Sequence, residues 1–334
     1  MTIVARWWCQ GDNSLINCTL CPQMCNLRDG DSGNCGARYA KAGKLWTRAI
    51  GVGTSPVADP IEKKPLYHFL PGTKVLSFGM VGCNLSCAFC QNWNLSNNHN
   101  HAILQPITPE ECVQMALEQG CSGIAFTYNE PIISSEFCIE VSKVAHQAEL
   151  KTIAVSNGYI MDEARTDLFS VISATNIDLK GINPAFYSKI CGARLEPVLE
   201  TLSFLVHSTT TWVEITNLLI PGLNDSVADI EGLTDWVCRN LGLDVPIHFS
   251  AFHPAFRMNS VSRTPTDTLV MAKKIAHARG LRYVYLGNVS IPQSTICHKC
   301  ESEIILRNNY FVNHCNILDN ACSICKTRVA GLFE

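Results

Sequence analysis

Gly82-Cys83-Asn84-Leu85-Ser86-Cys87-Ala88-Phe89-Cys90 sets three thiols on one short loop, spaced C-x-x-x-C-x-x-C, just after a β-rich run at 75–78. The chain holds 18 cysteines in 334 residues. At that frequency a lone C-x-x-C arises by chance about once, whereas this triplet is expected only ~0.05 times. Beyond the loop, β-rich runs recur at 123–127, 152–155, 175–179, 212–216, 247–250 and 282–286, with amphipathic stretches between them. Thr108-Pro109-Glu110-Glu111 reads as a capping box with proline at the first helical position. Phe137, Val141, Val144, Ala145 and Ala148 keep the helical period, as do Val227, Ile230, Leu233, Val237 and Leu241. Alternating strands and helices predict an α/β fold with a parallel sheet, and six or seven such units predict a partial (βα)6-type TIM-like barrel.

Each strand is followed by a polar signature. These are Tyr128-Asn129-Glu130-Pro131, Ser156-Asn157-Gly158-Tyr159, Asp178-Leu179-Lys180, the run from Asn217 to Asp225, and His248 through Pro254. In a barrel all of them converge with the thiol loop on the C-terminal mouth, where such folds keep their chemistry. The predicted organisation is a Cys-rich segment at 1–73, the barrel at 74–290 and a four-cysteine ribbon-like module at 291–334.

Composition narrows the function classes. Hydrophobic residues at 47% and charged residues at 16% exclude a disordered chain. A net charge of −3 argues against a nucleic-acid partner. No apolar run approaches the ~20 residues of a membrane span. No secretory pattern is visible in residues 1–10, so the expected location is cytoplasmic. In that compartment, abundant cysteine points to metal or redox chemistry rather than disulfides.

A [4Fe–4S] cluster commonly takes four cysteines, so three leave one iron for a small molecule that chelates through an amine and a carboxylate. The run Cys83, Cys87, Cys90, with Phe89 before the last cysteine, resembles the radical S-adenosylmethionine (SAM) superfamily, in which that aromatic lies near the adenine. The competing reading is a structural zinc loop, which needs a fourth ligand such as His99 or His101. The resemblance implies that Asn129 and Glu130 hold the methionyl amine of SAM, although Tyr128-Asn129-Glu130-Pro131 stands where the superfamily has paired glycines. A turn closed by Asn129 and Pro131 is the plainer alternative. Asn157 and Asp178 are candidates for the ribose hydroxyls or the carboxylate, and Lys180 for the SAM carboxylate, with strand-end capping as the alternative. Glu214 is expected to face inward. His248 and His253 are candidate proton carriers or substrate contacts, or else structural histidines.

The run from Asp59 to Gly72 (DPIEKKPLYHFLPG), Cys90-Gln91-Asn92-Trp93, Thr127 through Pro131, Glu214 through Asp225 and Val284-Tyr285-Leu286-Gly287-Asn288 resemble the AmmeMemoRadiSam-system radical SAM enzymes. These are relatives of the pyruvate formate-lyase activating enzymes, and the resemblance spans essentially the whole chain. It implies a SAM-binding cluster, reductive SAM cleavage to a 5′-deoxyadenosyl radical, and hydrogen abstraction from a substrate. Resemblance to activating enzymes points to a partner protein as that substrate, with a small molecule as the runner-up, and to an electron donor such as ferredoxin or flavodoxin. Two readings of other classes compete: a non-catalytic metal module that binds protein or RNA, and a pure electron-transfer protein.

Both flanks carry further cysteine groups. Cys18, Cys21, Cys25 and Cys35 could hold zinc or an auxiliary iron–sulfur cluster. Cys297-x-x-Cys300 and Cys322-x-x-Cys325 have the spacing of a zinc ribbon or a rubredoxin-like single-iron site. Glu301 and Lys326 stand where knuckles usually place glycine. His314 and Cys315 are alternative ligands there. Cys191 is a candidate thiol in a loop, while Cys112, Cys138 and Cys238 read as helix packing.

Overall fold

The computed structural model describes residues 2–51, 53–97 and 105–334, so His99 and His101 lie outside the described residues. Its centre is one eight-stranded sheet: β1 (Val57–Pro60), β2 (Lys74–Phe78), β3 (Gly123–Phe126), β4 (Lys151–Ser156), β5 (Ala174–Asp178), β6 (Trp212–Leu219), β7 (Ile247–Ala251) and β8 (Val284–Gly287). Strand order follows chain order from β1 to β8, and no ladder joins those two outer strands among the described residues. β1 runs antiparallel to β2; every later neighbour is parallel. Every residue of β3 and β7 is buried, as expected of parallel strands covered on both faces. The predicted partial barrel is thus seen as an open, mainly parallel sheet.

Helices α1 (Pro109–Glu118), α2 (Ser135–Gln147), α3 (Asp162–Phe169), α4 (Glu196–Ser208), α5 (Val227–Asn240) and α6 (Thr266–Ala278) connect the strands. The Thr108 capping box is formed: Thr108 Oγ1 accepts from Glu111 N at 3.1 Å and Glu111 Oε2 accepts from Thr108 N at 2.7 Å. α5 starts at a Ser226 cap and buries Ile230, Leu233 and Val237, and α2 buries Phe137, Val141 and Ala145. The apolar spacing of both sequences therefore becomes the face laid on the sheet.

Residues 61–70 have no long regular element, yet they cross one face of the sheet and fill its interior. Asn176 of β5 donates to Pro65 O at 2.7 Å. The Tyr67 and His68 amides donate to Glu214 of β6 at 3.0 and 2.7 Å, and Trp212 Nε1 donates at 3.1 Å. His248 of β7 lies 2.7 Å from the same carboxylate. Burial pushes the Glu214 carboxyl up, but the His248 contact and the Tyr67 amide outweigh it and hold it below its ordinary range. Glu214 faces inward as expected, and its work is to anchor this crossing segment.

The tail closes over the same segment. An antiparallel sheet of Thr295–Ile296, Glu303–Asn308 and Phe311–Cys315 brings in the buried Arg307. Its guanidinium donates to Tyr67 O and to Thr295 Oγ1. His68 meets Ala330 O and the Tyr285 hydroxyl, both at 2.6 Å.

Candidate active site and metal centres

The C-terminal ends of the strands open into a cavity of ≈ 370 Å³. Cys83, Cys87 and Cys90 line it, together with Phe89, Asn129, Glu130, Asn157, Asp178 and Lys180. The loop that carries the thiols is held from several sides. Gly82 has φ +99°, and a Cβ there would lie 2.4 Å from the Cys35 carbonyl oxygen, so only glycine fits. The Ser86 and Ala88 amides donate to Cys191 O and Ile190 O, each at 2.9 Å. Gln23 of the N-terminal segment donates to Asn84 O at 2.9 Å.

Burial pushes the Cys83 and Cys90 thiols up. Cys87 is held down, first by a hydrogen bond from the Cys191 thiol and then by the charge of Lys180. Cys191 is wholly buried behind the loop and reaches the site through this contact.

Tyr128 adopts φ +70°, and Asn129 N donates to Thr127 O at 2.9 Å, a strained three-residue turn of the kind found at functional sites. The Asn129 amide is spent on the thiol loop: Oδ1 accepts from Met80 N at 2.9 Å and Nδ2 donates to Gly82 O at 3.0 Å. Asn157 is spent in the same way, with Nδ2 donating to Asn84 Oδ1 at 2.8 Å and Oδ1 accepting from Tyr159 N at 2.8 Å. Glu130 accepts from Ser156 Oγ at 2.7 Å, Ile132 N at 3.0 Å and Asn157 N at 2.8 Å. Burial wins over these donors and pushes its carboxyl up to about 7. Lys180 pairs with Asp178 at 2.9 Å, and its charge lies 5.8 Å from the Phe89 ring centroid.

Sequence reasoning gave several residues of this site no role. Ser156, quoted only within a strand-end signature, is one: its hydroxyl holds Glu130. Lys63, Lys64 and Tyr128 also line the cavity; the doubled lysine after Asp59 was the available signal. His248 belongs to the Glu214 anchor.

In the tail, Cys297, Cys300, Cys322 and Cys325 bring their sulfurs within 4.8 Å of one another. Cys297 and Cys325 are 3.6 Å apart, and Cys300 and Cys322 are 3.8 Å apart. A tetrahedral ion with Zn–S bonds of ~2.3 Å needs sulfurs about 3.8 Å apart, so the four fit one ion. The hydroxyl and amide of Thr327 hold the Cys325 thiol down to about 6, which favours the thiolate that a metal needs. Glu301 and Lys326 take φ of 59° and 61°, the conformation that glycine usually supplies in a knuckle. His314 and Cys315 are exposed and stand outside this group.

Among the described residues, no other three ligand atoms approach so closely. Cys18, Cys21, Cys25 and Cys35 influence one another, and burial pushes each thiol up. Cys83, Cys87 and Cys90 share the cavity without forming such a compact group among the described residues.

The family model described as the Radical SAM superfamily matches residues 78–237. An uncharacterised protein of Methanocaldococcus jannaschii is 39% identical over 323 residues, 95% of this chain and 96% of that protein. The benzylsuccinate synthase activating enzyme of Thauera aromatica is 21% identical over 266 residues, 73% of this chain and 79% of the relative. The crystal structure of a radical SAM methyltransferase from Sphaerobacter thermophilus shares the fold with a TM-score of 0.51 at 18% identity, over 65% of this chain and 67% of that one.

Proposed function

The chain belongs to the radical SAM superfamily, whose members carry a [4Fe–4S] cluster and SAM, and from that premise we propose that Cys83, Cys87 and Cys90 ligate the cluster of an enzyme that takes hydrogen from a partner protein. The observation that carries this reading is the convergence of the three thiols with Glu130, Asp178 and Lys180 on one cavity. Held there by Cys83, Cys87 and Cys90, the cluster would supply the electron for reductive cleavage of SAM. Glu130 would accept hydrogen bonds from the methionyl ammonium, whose charge would compensate its buried carboxylate. Lys180 and Asp178, paired in the free protein, meet the SAM carboxylate and the ribose hydroxyls. Phe89 borders the adenine. Asn129 and Asn157 act by fixing the thiol loop and the Glu130 turn.

The finer assignment is to the AmmeMemoRadiSam-system branch, on the run from Asp59 to Gly72 and the motifs after it. The parallel order of β2 to β8 supports a partial barrel at 74–290, to which β1 adds an antiparallel edge, with the cysteine groups of segments 1–73 and 291–334 as flanking modules. The tail takes zinc or a single iron, and the N-terminal cysteines take a metal or an auxiliary cluster. The electron donor is a ferredoxin or flavodoxin, and the setting is cytoplasmic. No helix among the described residues is long and apolar enough to cross a membrane. A partner-protein substrate rests on homology to an activating enzyme.

The test is isotopic. Cell extract grown in deuterated medium is divided into protein and low-molecular-weight fractions, and each is supplied to the reduced enzyme with unlabelled SAM. Deuterium entering 5′-deoxyadenosine from the protein fraction supports the proposal. Transfer from the small-molecule fraction alone defeats the protein substrate and leaves the radical chemistry standing.

A further inference from the structure

The floor of the cavity carries charge that the SAM site does not use. Lys63 Nζ lies 2.8 Å from Asp59 Oδ1 and Lys64 Nζ lies 2.9 Å from Asp59 Oδ2. The Tyr128 hydroxyl donates to the same Oδ2 at 2.8 Å. Burial pushes Asp59 up, but these partners outweigh it and hold its carboxyl at about 2. One carboxylate therefore faces two ammonium groups, and a positive charge is left over.

Lys64 is the unusual member. Its side chain is 2% exposed. An ammonium has three protons to give, yet Asp59 Oδ2 is its only hydrogen-bond acceptor among the described residues. The remaining compensation is the Tyr128 ring, 5.0 Å from the nitrogen. Arg307, equally buried, donates to two oxygens and also faces Glu62. Burial accordingly pulls the Lys64 ammonium below its ordinary range despite Asp59.

Lys63, Lys64 and Tyr128 line the same cavity as the three loop cysteines. The lysine whose charge acts on Glu130 and Cys87 is Lys180, and no SAM contact is assigned to Lys63 or Lys64.

We propose that Lys64, with Lys63 beside it, forms an anion subsite in the cavity floor that receives a carboxylate or phosphate group of the substrate. This rests on the radical SAM reading of the cavity. On a partner protein the group would be an acidic side chain, a C-terminal carboxylate or a phosphorylated residue. Its arrival gives Lys64 a second acceptor and neutralises the surplus charge, and it tethers the substrate in the cavity that the thiol loop lines.

The test uses the cluster-loaded, reduced protein with SAM, titrated separately with [1-13C]acetate and inorganic phosphate. The paramagnetic cluster broadens the NMR line of an anion bound in the cavity. At least one anion should show saturable broadening, and the two arms identify the preferred headgroup. Lys64→Met should weaken binding by about 10- to 100-fold, and Lys64→Arg should restore most of it. Should Lys64→Met not fold, Lys63→Met decides: its side chain is half-exposed, so the fold survives, and anion binding should weaken. Absence of saturable broadening by either anion, or equal binding in Lys64→Met and Lys63→Met, would overturn the subsite. SAM cleavage to 5′-deoxyadenosine is measured in the same samples; its loss in the unmodified protein would instead overturn the cavity's assignment.

Discussion

Replacing Arg307 by methionine tests whether the tail and the cavity floor form one structural unit. The guanidinium is wholly buried, donates to Thr295 Oγ1 at 2.7 Å and to Tyr67 O, lies 4.5 Å from the Tyr67 ring centroid and faces Glu62 at 3.6 Å. Methionine keeps much of the stem volume but removes every donor. Each hydrogen bond to a charged group is worth about 1.5–3 kcal/mol, and breaking a buried ion pair from one side costs about 3–5 kcal/mol. Glu62 would keep one partner, the Gly72 amide at 2.9 Å. Its carboxyl, already pushed up by burial, would take a proton and trim the loss, so we expect about 3–5 kcal/mol. At about 2.1 cal/mol/K of unfolding entropy per residue, a chain of 334 residues loses about 4–7 °C in Tm. Calorimetry at constant metal loading measures this, and the double variant Glu62→Gln, Arg307→Met should recover at least about 1 kcal/mol. A fall of less than about 1 °C in Arg307→Met would refute the coupling of tail to floor.

Other outcomes follow from the same structure. Cys300→Ala should release one metal ion from the tail, measured by elemental analysis, while the iron of the thiol loop remains; unchanged metal content would exclude the four-sulfur site. Glu301→Gly and Lys326→Gly should each stabilise the metal-loaded protein by about 0.5–1 kcal/mol, because both positions have positive φ, and a urea midpoint that falls would contradict this. Burial holds His68 down to about 4, so its contribution is intact above the unfolded value near 6.5 and is lost as pH falls towards 4, by up to about 3 kcal/mol. His68→Gln should flatten the stability profile between pH 7 and 5, and an equally steep profile in the variant would count against His68 as its source.

The sheet was legible because its strands are short apolar runs between amphipathic helices, and residues 152–155 needed only one more at each end to become β4. β1 was not legible. Asp59 and Pro60 disfavour a strand, and Pro60 is tolerated because β1 is an edge. The nine residues assigned to the cluster and SAM line one cavity because the loop and the parallel strand ends all open on the same side. What each side chain does there was hidden. Asn129 spends its amide, and Asn157 its Nδ2, on a loop more than forty residues away in sequence, and no local pattern announces such a bond. The floor was hidden for a related reason: residues 61–70 lack periodicity, and their partners Glu214, Tyr285 and Arg307 come from the far half of the chain. Glu301 and Lys326 broke the glycine rule of the knuckle without breaking its geometry, since both accept the left-handed backbone.

Anaerobic reconstitution with iron and sulfide, compared between the unmodified protein and the variant in which Cys83, Cys87 and Cys90 are all alanine, bears most directly on the central claim. The unmodified protein, reduced and given SAM, should produce 5′-deoxyadenosine and methionine. The variant should hold about four fewer irons per chain and produce neither. Equal iron content and undiminished cleavage in the variant would contradict the assignment of the loop.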